Sequence, residues 1–230
     1  MGAAKITLFV DVVSPFAYEA FHILQNDAVF RDVQKTYVPI FLGGLMKMTG
    51  NTPPMNVKNK DVWINKERVR WARAFGVPMA AESPPDFPPP TLQVMRAACG
   101  LADDQAALRA VLARLYHDLF VRHAPVARPD VFAPVFREVL GPVEAERVLA
   151  EAATTGKARL AKNTDDAFAA GAFGLPWMAC TNAAGETEGF WGVDHLGHVA
   201  RFLDLPRPVA NGNGDGNGDG NAEGGWRSVL

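Results

Sequence analysis

Residues 6–16 read Ile-Thr-Leu-Phe-Val-Asp-Val-Val-Ser-Pro-Phe and predict a strand that leads through a short loop into a helix. The first part of this run is apolar and rich in β-formers, which is typical of a strand buried on both faces. Pro15 stands at the start of the predicted helix, where a proline removes no intrahelical hydrogen bond. A second strand is predicted at 37–42, and Pro39 within it indicates a sheet edge or a bulge. Residues 6–42 therefore predict a βαβ unit with parallel strands.

The rest of the chain divides into a helical middle and a mixed end. Between the predicted strands, apolar residues recur at helical spacing and proline-rich segments separate the helices. Residues 178–191 predict a β-hairpin, and a last helix is expected over 194–205. The order βαβ, helices, ββα predicts an α/β fold, a thioredoxin-like domain interrupted by an all-helical insert. We expect its two halves at 1–60 and 171–206 and the insert at 61–170.

Composition excludes several classes of protein. The chain has 230 residues and a formal net charge of −2, and this near-neutral balance argues against nucleic-acid binding. No apolar stretch approaches the roughly 20 residues that span a bilayer. Cys99 and Cys180 form no pair motif, so neither a disulfide framework nor a zinc site is predicted, and a reducing compartment is expected. Residues 207–230 are rich in Gly and Asn, and we predict a disordered tail.

Ser14 is the leading candidate for a catalytic residue. It lies where the first strand meets the first helix, so a bound anion there faces the helix N–H groups and the positive end of its dipole. In a thioredoxin layout this position holds the reactive cysteine of Cys-x-x-Cys, but here the residues are Ser14-Pro15-Phe16-Ala17, which excludes disulfide exchange by the chain's own cysteines. Ser14 is equally suited to capping the helix. Val13 and Pro15, rather than glycines, flank it, which argues against a nucleophilic serine.

Two further segments carry candidate binding residues. The glycines of the stretch 171–176 let the backbone approach a ligand closely. A cis Leu175–Pro176 bond would turn the Leu175 N–H and C=O toward an extended, peptide-like ligand, whereas a trans proline at a strand start is the alternative. Val193 and Asp194 lie at the N-terminus of the last predicted helix, where they suit an amino-acid head group, unless Asp194 is only the N-cap.

Asn51 and Lys60 are the remaining binding candidates. Asn51 offers two donors and an acceptor within a turn, and Lys60 offers a positive charge for a carboxylate. A single surface lysine commonly has no binding role. His195 and His198 have helical spacing but no third ligand, so no metal site is predicted.

Four stretches in order, at residues 9–16, 41–54, 171–176 and 190–194, resemble the kappa-class glutathione transferases and the related 2-hydroxychromene-2-carboxylate isomerases. Each stretch is a weak signal alone, but the four in sequence make a strong match over about residues 5–205. The resemblance implies a homodimeric enzyme that binds glutathione on a thioredoxin-like domain with a helical insert.

The resemblance also implies a role for each candidate residue. The implied glutathione site consists of Ser14, Pro15, Phe16, Asn51, Lys60, Leu175, Pro176, Val193 and Asp194. Ser14 would hydrogen-bond the sulfur, Leu175 would pair its main chain with the cysteinyl unit, and Asp194 would hold the γ-glutamyl end. The chain departs from the family pattern at His195, where Arg is frequent, and at Val193, which offers only its backbone. Trp177 is bulkier than the expected Thr.

The expected function is that of a kappa-type glutathione transferase. The Ser14-stabilised thiolate of glutathione would attack a small electrophilic substrate in an apolar pocket built by the helical insert. The alternatives are a glutathione-dependent cis–trans isomerase of the 2-hydroxychromene-2-carboxylate type and a non-catalytic carrier. No nucleic acid, membrane or metal partner is expected. The expected location is cytoplasmic, with mitochondria and peroxisomes as alternatives.

Overall fold

The fold is built on a four-stranded mixed sheet. A computed structural model of the chain describes residues 2–206 and residue 226. The strands are β1 (Lys5–Val10), β2 (Gln34–Pro39), β3 (Trp177–Thr181) and β4 (Thr187–Trp191). Their order is β2-β1-β3-β4, with β1 parallel to β2 and the other two pairs antiparallel. This topology confirms the predicted thioredoxin-like βαβ unit and hairpin.

Helices cover the sheet, and the chain between β2 and β3 is helical. They are α1 (Pro15–Asn26), α2 (Leu42–Thr49), α3 (Lys60–Ala74), α4 (Leu92–Cys99), α5 (Gln105–Phe120), α6 (Pro129–Leu140), α7 (Pro142–Glu151), α8 (Thr155–Ala169) and α9 (Leu196–Phe202). The segment from α2 to α8 contains no strand, as expected of the predicted insert, whose exact limits stay a prediction. No helix within the described ranges is long and apolar enough to cross a membrane.

The second strand lies earlier than the sequence predicts. The prediction of a strand at 37–42 is wrong at its end, because β2 pairs with β1 only from Gln34 to Pro39 and the chain turns into α2 at Leu42. Pro39 stands at the end of an edge strand, in agreement with its missing backbone N–H. The predicted last helix also begins late, since residues 193–195 form a 3₁₀ turn before α9.

The buried side chains form two clusters on opposite faces of β1. Leu8 and Val10 point into the larger cluster with most helices, whereas Phe9 points into a smaller one. This alternation is expected for a strand covered on both sides. The smaller cluster consists of Phe9, Ala17, Ile40, Leu45, Ala167, Ala172, Leu175 and Trp177. It joins the beginning of α1 to the loop before β3 and so supports the region that contains Ser14.

Trp226 packs against the folded domain. Its ring lies 5.7 Å from that of Phe30 and 5.8 Å from that of Phe75, and its Nε1–H donates to Asp27 Oδ2 at 2.8 Å. Trp226 belongs to the segment 207–230 for which a disordered tail is predicted, and its ring and N–H find partners that the Gly and Asn composition does not reveal. The remainder of the predicted tail, 207–225 and 227–230, lies outside the described residues.

Glu19 is a fully buried carboxyl group on α1. Neither of its oxygens accepts a hydrogen bond from another described residue. Burial raises the pKa of Glu19 well above its usual value of 4.5; the nearby Arg68 guanidinium lowers this pKa and Glu67 raises it. Arg68 itself donates to the carbonyls of Ala80 and Ala81. The folded state therefore favours the neutral form of Glu19.

Glu19→Gln is expected to make the protein more stable at neutral and alkaline pH. The folded-state pKa of Glu19 lies above the unfolded value, so its stabilising contribution is complete below about pH 4.5 and is lost as pH rises through the folded value. Urea unfolding across a pH series measures the difference from the parent protein, with exposed Glu188→Gln as the control. Equal pH dependence of the parent and Glu19→Gln would contradict this expectation.

Candidate active site

Ser14 is the N-cap residue of α1. Its Oγ accepts a hydrogen bond from the Ala17 N–H at 3.1 Å, so the capping role is present. Among the described residues, however, this hydroxyl donates its own hydrogen to no acceptor. One hydroxyl can accept from the backbone and still donate to a ligand. Capping and ligand binding by Ser14 are therefore compatible.

The first turn of α1 presents positive character to a ligand. Pro15 has no N–H, Ala17 donates to Ser14 Oγ, and Tyr18 donates to the Ser14 carbonyl. The Phe16 N–H makes no hydrogen bond to another described residue, and the first turn contains no acidic side chain. A free N–H at the positive end of a helix favours an anion. Pro15 and Phe16 are half-buried beside Ser14.

The loop before β3 reaches the same end of α1. The Leu175–Pro176 peptide bond is cis, and the Leu175 side chain packs in the smaller cluster with Ala17. Within residues 2–206, neither the N–H nor the C=O of Leu175 forms a hydrogen bond. The Pro176 carbonyl accepts from the Gly192 N–H at 3.0 Å, which ties the loop to the turn after β4. Both main-chain groups of Leu175 are therefore available to an extended ligand.

Asn51 connects the end of α2 to this loop. Its Nδ2 donates to the Phe173 carbonyl at 2.8 Å, and its Oδ1 accepts from the Thr52 N–H at 2.8 Å. Gly50 ends α2 with φ 69°, a backbone conformation that glycine adopts without strain. The Asn51 side chain thus holds the loop, and one Nδ2 hydrogen and an Oδ1 lone pair are left for a ligand.

Val193 and Asp194 lie on the 3₁₀ turn that packs against α1. Val193 is buried, whereas Asp194 is exposed, with Oδ1 3.3 Å from His195 Nδ1. The Asp194 side chain caps neither this turn nor α9, so the alternative reading of Asp194 as an N-cap is wrong. Asp194 Oδ2 has no partner among the described residues and is left for a cationic group.

Lys60 is not brought into contact with the other candidates. It is the exposed first residue of α3, and its side chain makes no hydrogen bond or ion pair to another described residue. The structure thus places Ser14, Pro15, Phe16, Leu175 and Pro176 around the start of α1, with the turn that contains Val193 packed against the same helix and Asn51 bonded to the adjoining loop. The predicted role of Lys60 stays a prediction.

Aromatic side chains that the site prediction omits border the loop. The rings of Phe173 and Trp191 lie 5.0 Å apart, and both are about two-fifths exposed. Trp177 fits because position 189 is glycine: a Cβ there would lie 2.4 Å from the Trp177 ring. The glycine at 189 thus makes room for a side chain bulkier than the expected Thr at 177. The sequence signal for this aromatic pair was the position of Phe173 between Gly171 and Gly174 in the loop before β3.

The two cysteines do not contribute a reactive thiol. Both are buried, and burial raises the pKa of each, Cys99 and Cys180, to about 12. A thiol with such a pKa is protonated at neutral pH and is a poor nucleophile. Any thiolate chemistry at Ser14 therefore requires sulfur from a bound molecule.

Two further observations concern ligands elsewhere. A groove of about 430 Å³ lies between α1 and α5, lined by Tyr18, His22 and His117 among others, and contains none of the predicted glutathione-binding residues. It does not correspond to the pocket expected beside Ser14. In residues 2–206 and 226, no group of three His, Cys, Asp or Glu side chains is arranged to hold a metal.

Known proteins resemble this chain over most of its length. Glutathione S-transferase kappa 1 of Caenorhabditis elegans is 25% identical over 218 residues, covering 89% of this chain and 93% of that protein. Glutathione S-transferase kappa 1 of Rattus norvegicus is 27% identical over 213 residues, covering 88% and 93%. These relatives confirm the resemblance drawn from the four sequence stretches.

Solved structures share the fold. A 2-hydroxychromene-2-carboxylate isomerase superposes with a TM-score of 0.73 at 20% identity, covering 87% of this chain and 94% of that one. The cytosolic disulfide reductase DsbM from Pseudomonas aeruginosa, solved with GSH, gives a TM-score of 0.55 at 19% identity, covering 87% and 97%. A family model described as a DSBA-like thioredoxin domain matches residues 5–204. Since that match extends over most of the 230 residues, the chain belongs to the DsbA-like thioredoxin domain family.

Proposed function

We propose that this protein is a kappa-type glutathione transferase in which Ser14 stabilises the thiolate of bound glutathione. The observation that carries the proposal is the set of unused donors and acceptors around the start of α1. The Ser14 hydroxyl hydrogen and the Phe16 N–H suit a thiolate, and the Leu175 N–H and C=O suit a peptide main chain. The relatives named glutathione S-transferase kappa support glutathione as the ligand.

The remaining candidates complete the proposed glutathione site. The main chain of Val193 and the carboxylate of Asp194 would hold the γ-glutamyl end, the carboxylate through a charge-assisted bond to the ammonium group. The half-buried His195 beside Asp194 adds a second polar group at this end, where it stands in place of an arginine. Asn51 and Lys60 would lie toward the rest of the tripeptide.

The energies of these interactions are sufficient for thiolate formation. A thiol with a pKa of about 8.5 is only a few per cent ionised at neutral pH, and lowering this pKa by about two units requires roughly 2.7 kcal/mol. A hydrogen bond to a charged group contributes about 1.5–3 kcal/mol, and the helix dipole adds up to about 1 kcal/mol. Ser14 and the first turn of α1 can therefore supply the required stabilisation.

The proposed reaction is nucleophilic substitution or addition at an electrophilic carbon. The thiolate sulfur supplies the electron pair of the new C–S bond. In a substitution the leaving group departs with the pair of the broken bond, and in an addition the π pair of the attacked double bond moves to the neighbouring atom, which takes a proton from solvent. The protein's own cysteines take no part. A glutathione-dependent isomerase is the second candidate, favoured by the isomerase that shares the fold. In that reaction sulfur adds, a bond rotates, and sulfur leaves with its electron pair.

The thiol pKa of bound glutathione tests the proposal directly. We expect ultraviolet absorbance of the thiolate to titrate at least about one unit below the free-thiol value of about 8.5. Turnover with a chlorodinitrobenzene-type acceptor distinguishes conjugation from isomerisation of a cis substrate. Bound glutathione with an unchanged pKa would indicate a carrier, and absence of binding would refute the proposal.

A further inference from the structure

Asp11, the residue that follows β1, is a fully buried carboxylate next to the Ser14 loop. Its Oδ1 accepts from the Val13 N–H at 3.2 Å and from the Thr91 hydroxyl at 2.7 Å. Its Oδ2 accepts from the Leu42 N–H at 2.9 Å. These three donors belong to the Ser14 loop, to the segment that begins α4, and to the first residue of α2. One carboxylate thus joins three parts of the chain.

The main chain of Asp11 holds Ser14 directly. The Asp11 carbonyl accepts from the Ser14 N–H at 3.0 Å and from the Tyr116 hydroxyl at 3.3 Å. The Val13 N–H also donates to Asp11 Oδ1, so Asp11 holds both residues that precede α1, Val13 and Ser14. The position of Ser14 therefore depends on Asp11 through both its side chain and its backbone.

Asp11 keeps its charge because neutral donors surround it. Burial raises the pKa of Asp11 to about 6, and its hydrogen bonds to Leu42, Thr91 and Val13 lower it. The buried Tyr116 hydroxyl on α5 is a titratable group that faces Asp11. Burial and the charge of Asp11 both raise the pKa of Tyr116. At neutral pH Asp11 is thus an ionised acceptor for donors from separate segments. Its hydrogen bonds are stronger in the low-dielectric interior than they would be in water, and they hold these segments in place.

We propose that Asp11 is a positioning residue that fixes the Ser14 hydroxyl against the sulfur of bound glutathione. The inference rests on the proposed function. Asp11 touches neither sulfur nor the rest of the ligand; it acts through the loop and through the start of α2, whose far end holds Asn51. A loosened loop would leave glutathione bound but would weaken the bond from Ser14 to its thiolate, because hydrogen-bond energy depends steeply on geometry.

Asp11→Asn tests this role. The variant keeps the size of the side chain and an oxygen for Val13 and Thr91, but it turns an amide N–H₂ toward the Leu42 N–H donor. We expect the thiol pKa of bound glutathione to rise toward the free value and the thiolate fraction at neutral pH to fall at least about threefold. Asp103→Asn, on an exposed carboxylate that pairs with Arg159, is the matched control and should leave that pKa unchanged.

Thr91→Val provides a second test if Asp11→Asn fails to fold. It removes one donor to the carboxylate, and the Thr91 side chain caps no helix, so the change is confined to the Asp11 contact. A smaller rise in thiol pKa is expected. A purely structural role predicts lower resistance to urea with an unchanged thiol pKa, and that result in folded variants would overturn the inference. An unshifted pKa in the parent protein would instead refute the proposed function.

Discussion

Ser14→Ala is expected to lower the conjugation rate at neutral pH by up to about 25-fold, by raising the thiol pKa of bound glutathione toward its free value. With a pKa near 6.5, about three-quarters of the thiol is ionised at pH 7, against about 3% with a pKa near 8.5. The rate follows the thiolate fraction because the thiolate is the nucleophile. A titration of bound glutathione and a rate–pH profile measure the same shift independently.

The control for Ser14 must separate the cap from the thiolate contact. Alanine also removes the bond to the Ala17 N–H, which costs about 1 kcal/mol of stability. Ser14→Thr keeps both the hydroxyl donor and the capping oxygen, so it should retain most of the pKa shift. If Ser14→Ala loses stability but keeps the low thiol pKa, then Ser14 is only a helix cap.

Gly156→Ala is expected to destabilise the protein by roughly 2–4 kcal/mol, although alanine is the better helix former by about 1 kcal/mol. Gly156 is buried near the start of α8, where that helix packs against α4. A Cβ at this position would lie 2.4 Å from the Arg96 carbonyl oxygen, so the backbones of the two helices must separate. Urea unfolding, compared at the midpoint and in slope, measures the loss.

Lys157→Ala is the neighbouring control on the exposed side of α8 and should change stability by less than about 0.5 kcal/mol. A Gly156→Ala variant as stable as the parent protein would mean that α4 and α8 are farther apart than the structure describes. The comparison thus tests the packing within the helical segment without touching the site at Ser14.

The parts of the fold that local sequence determines were predictable. β1, α1 and the hairpin follow from short apolar runs and from turn residues. The helix α2 was not, because its sequence contains Gly43 and Gly44, which are poor helix formers. Two contacts stabilise this helix: Asp11 accepts a hydrogen bond from the Leu42 N–H, and the Phe41 ring packs over both glycines. The Asp11 contact joins residues 31 positions apart and has no local sequence signal.

The candidate site divides in the same way. Ser14 and Leu175 could be singled out because the strand-to-helix junction and the Gly-rich loop before β3 are recognisable motifs. The bond from Asn51 to the Phe173 carbonyl could not, since it joins segments more than 100 residues apart. The role of Asp11 could not be predicted either. A carboxylate at the end of a strand is commonly exposed to solvent, and only the structure shows the three donors that surround this one.

The contact made by Trp226 bears on where a shortened version of the chain can end. Residue 206 marks the boundary that composition suggests, yet a truncation there would delete an indole that covers Phe30 and Phe75 and would remove the donor to Asp27 Oδ2. Two aromatic faces would then meet water, and newly bared aromatic surface promotes self-association. A shortened version of the chain should therefore end after Trp226 rather than at residue 206, so that this ring keeps its contacts with the domain.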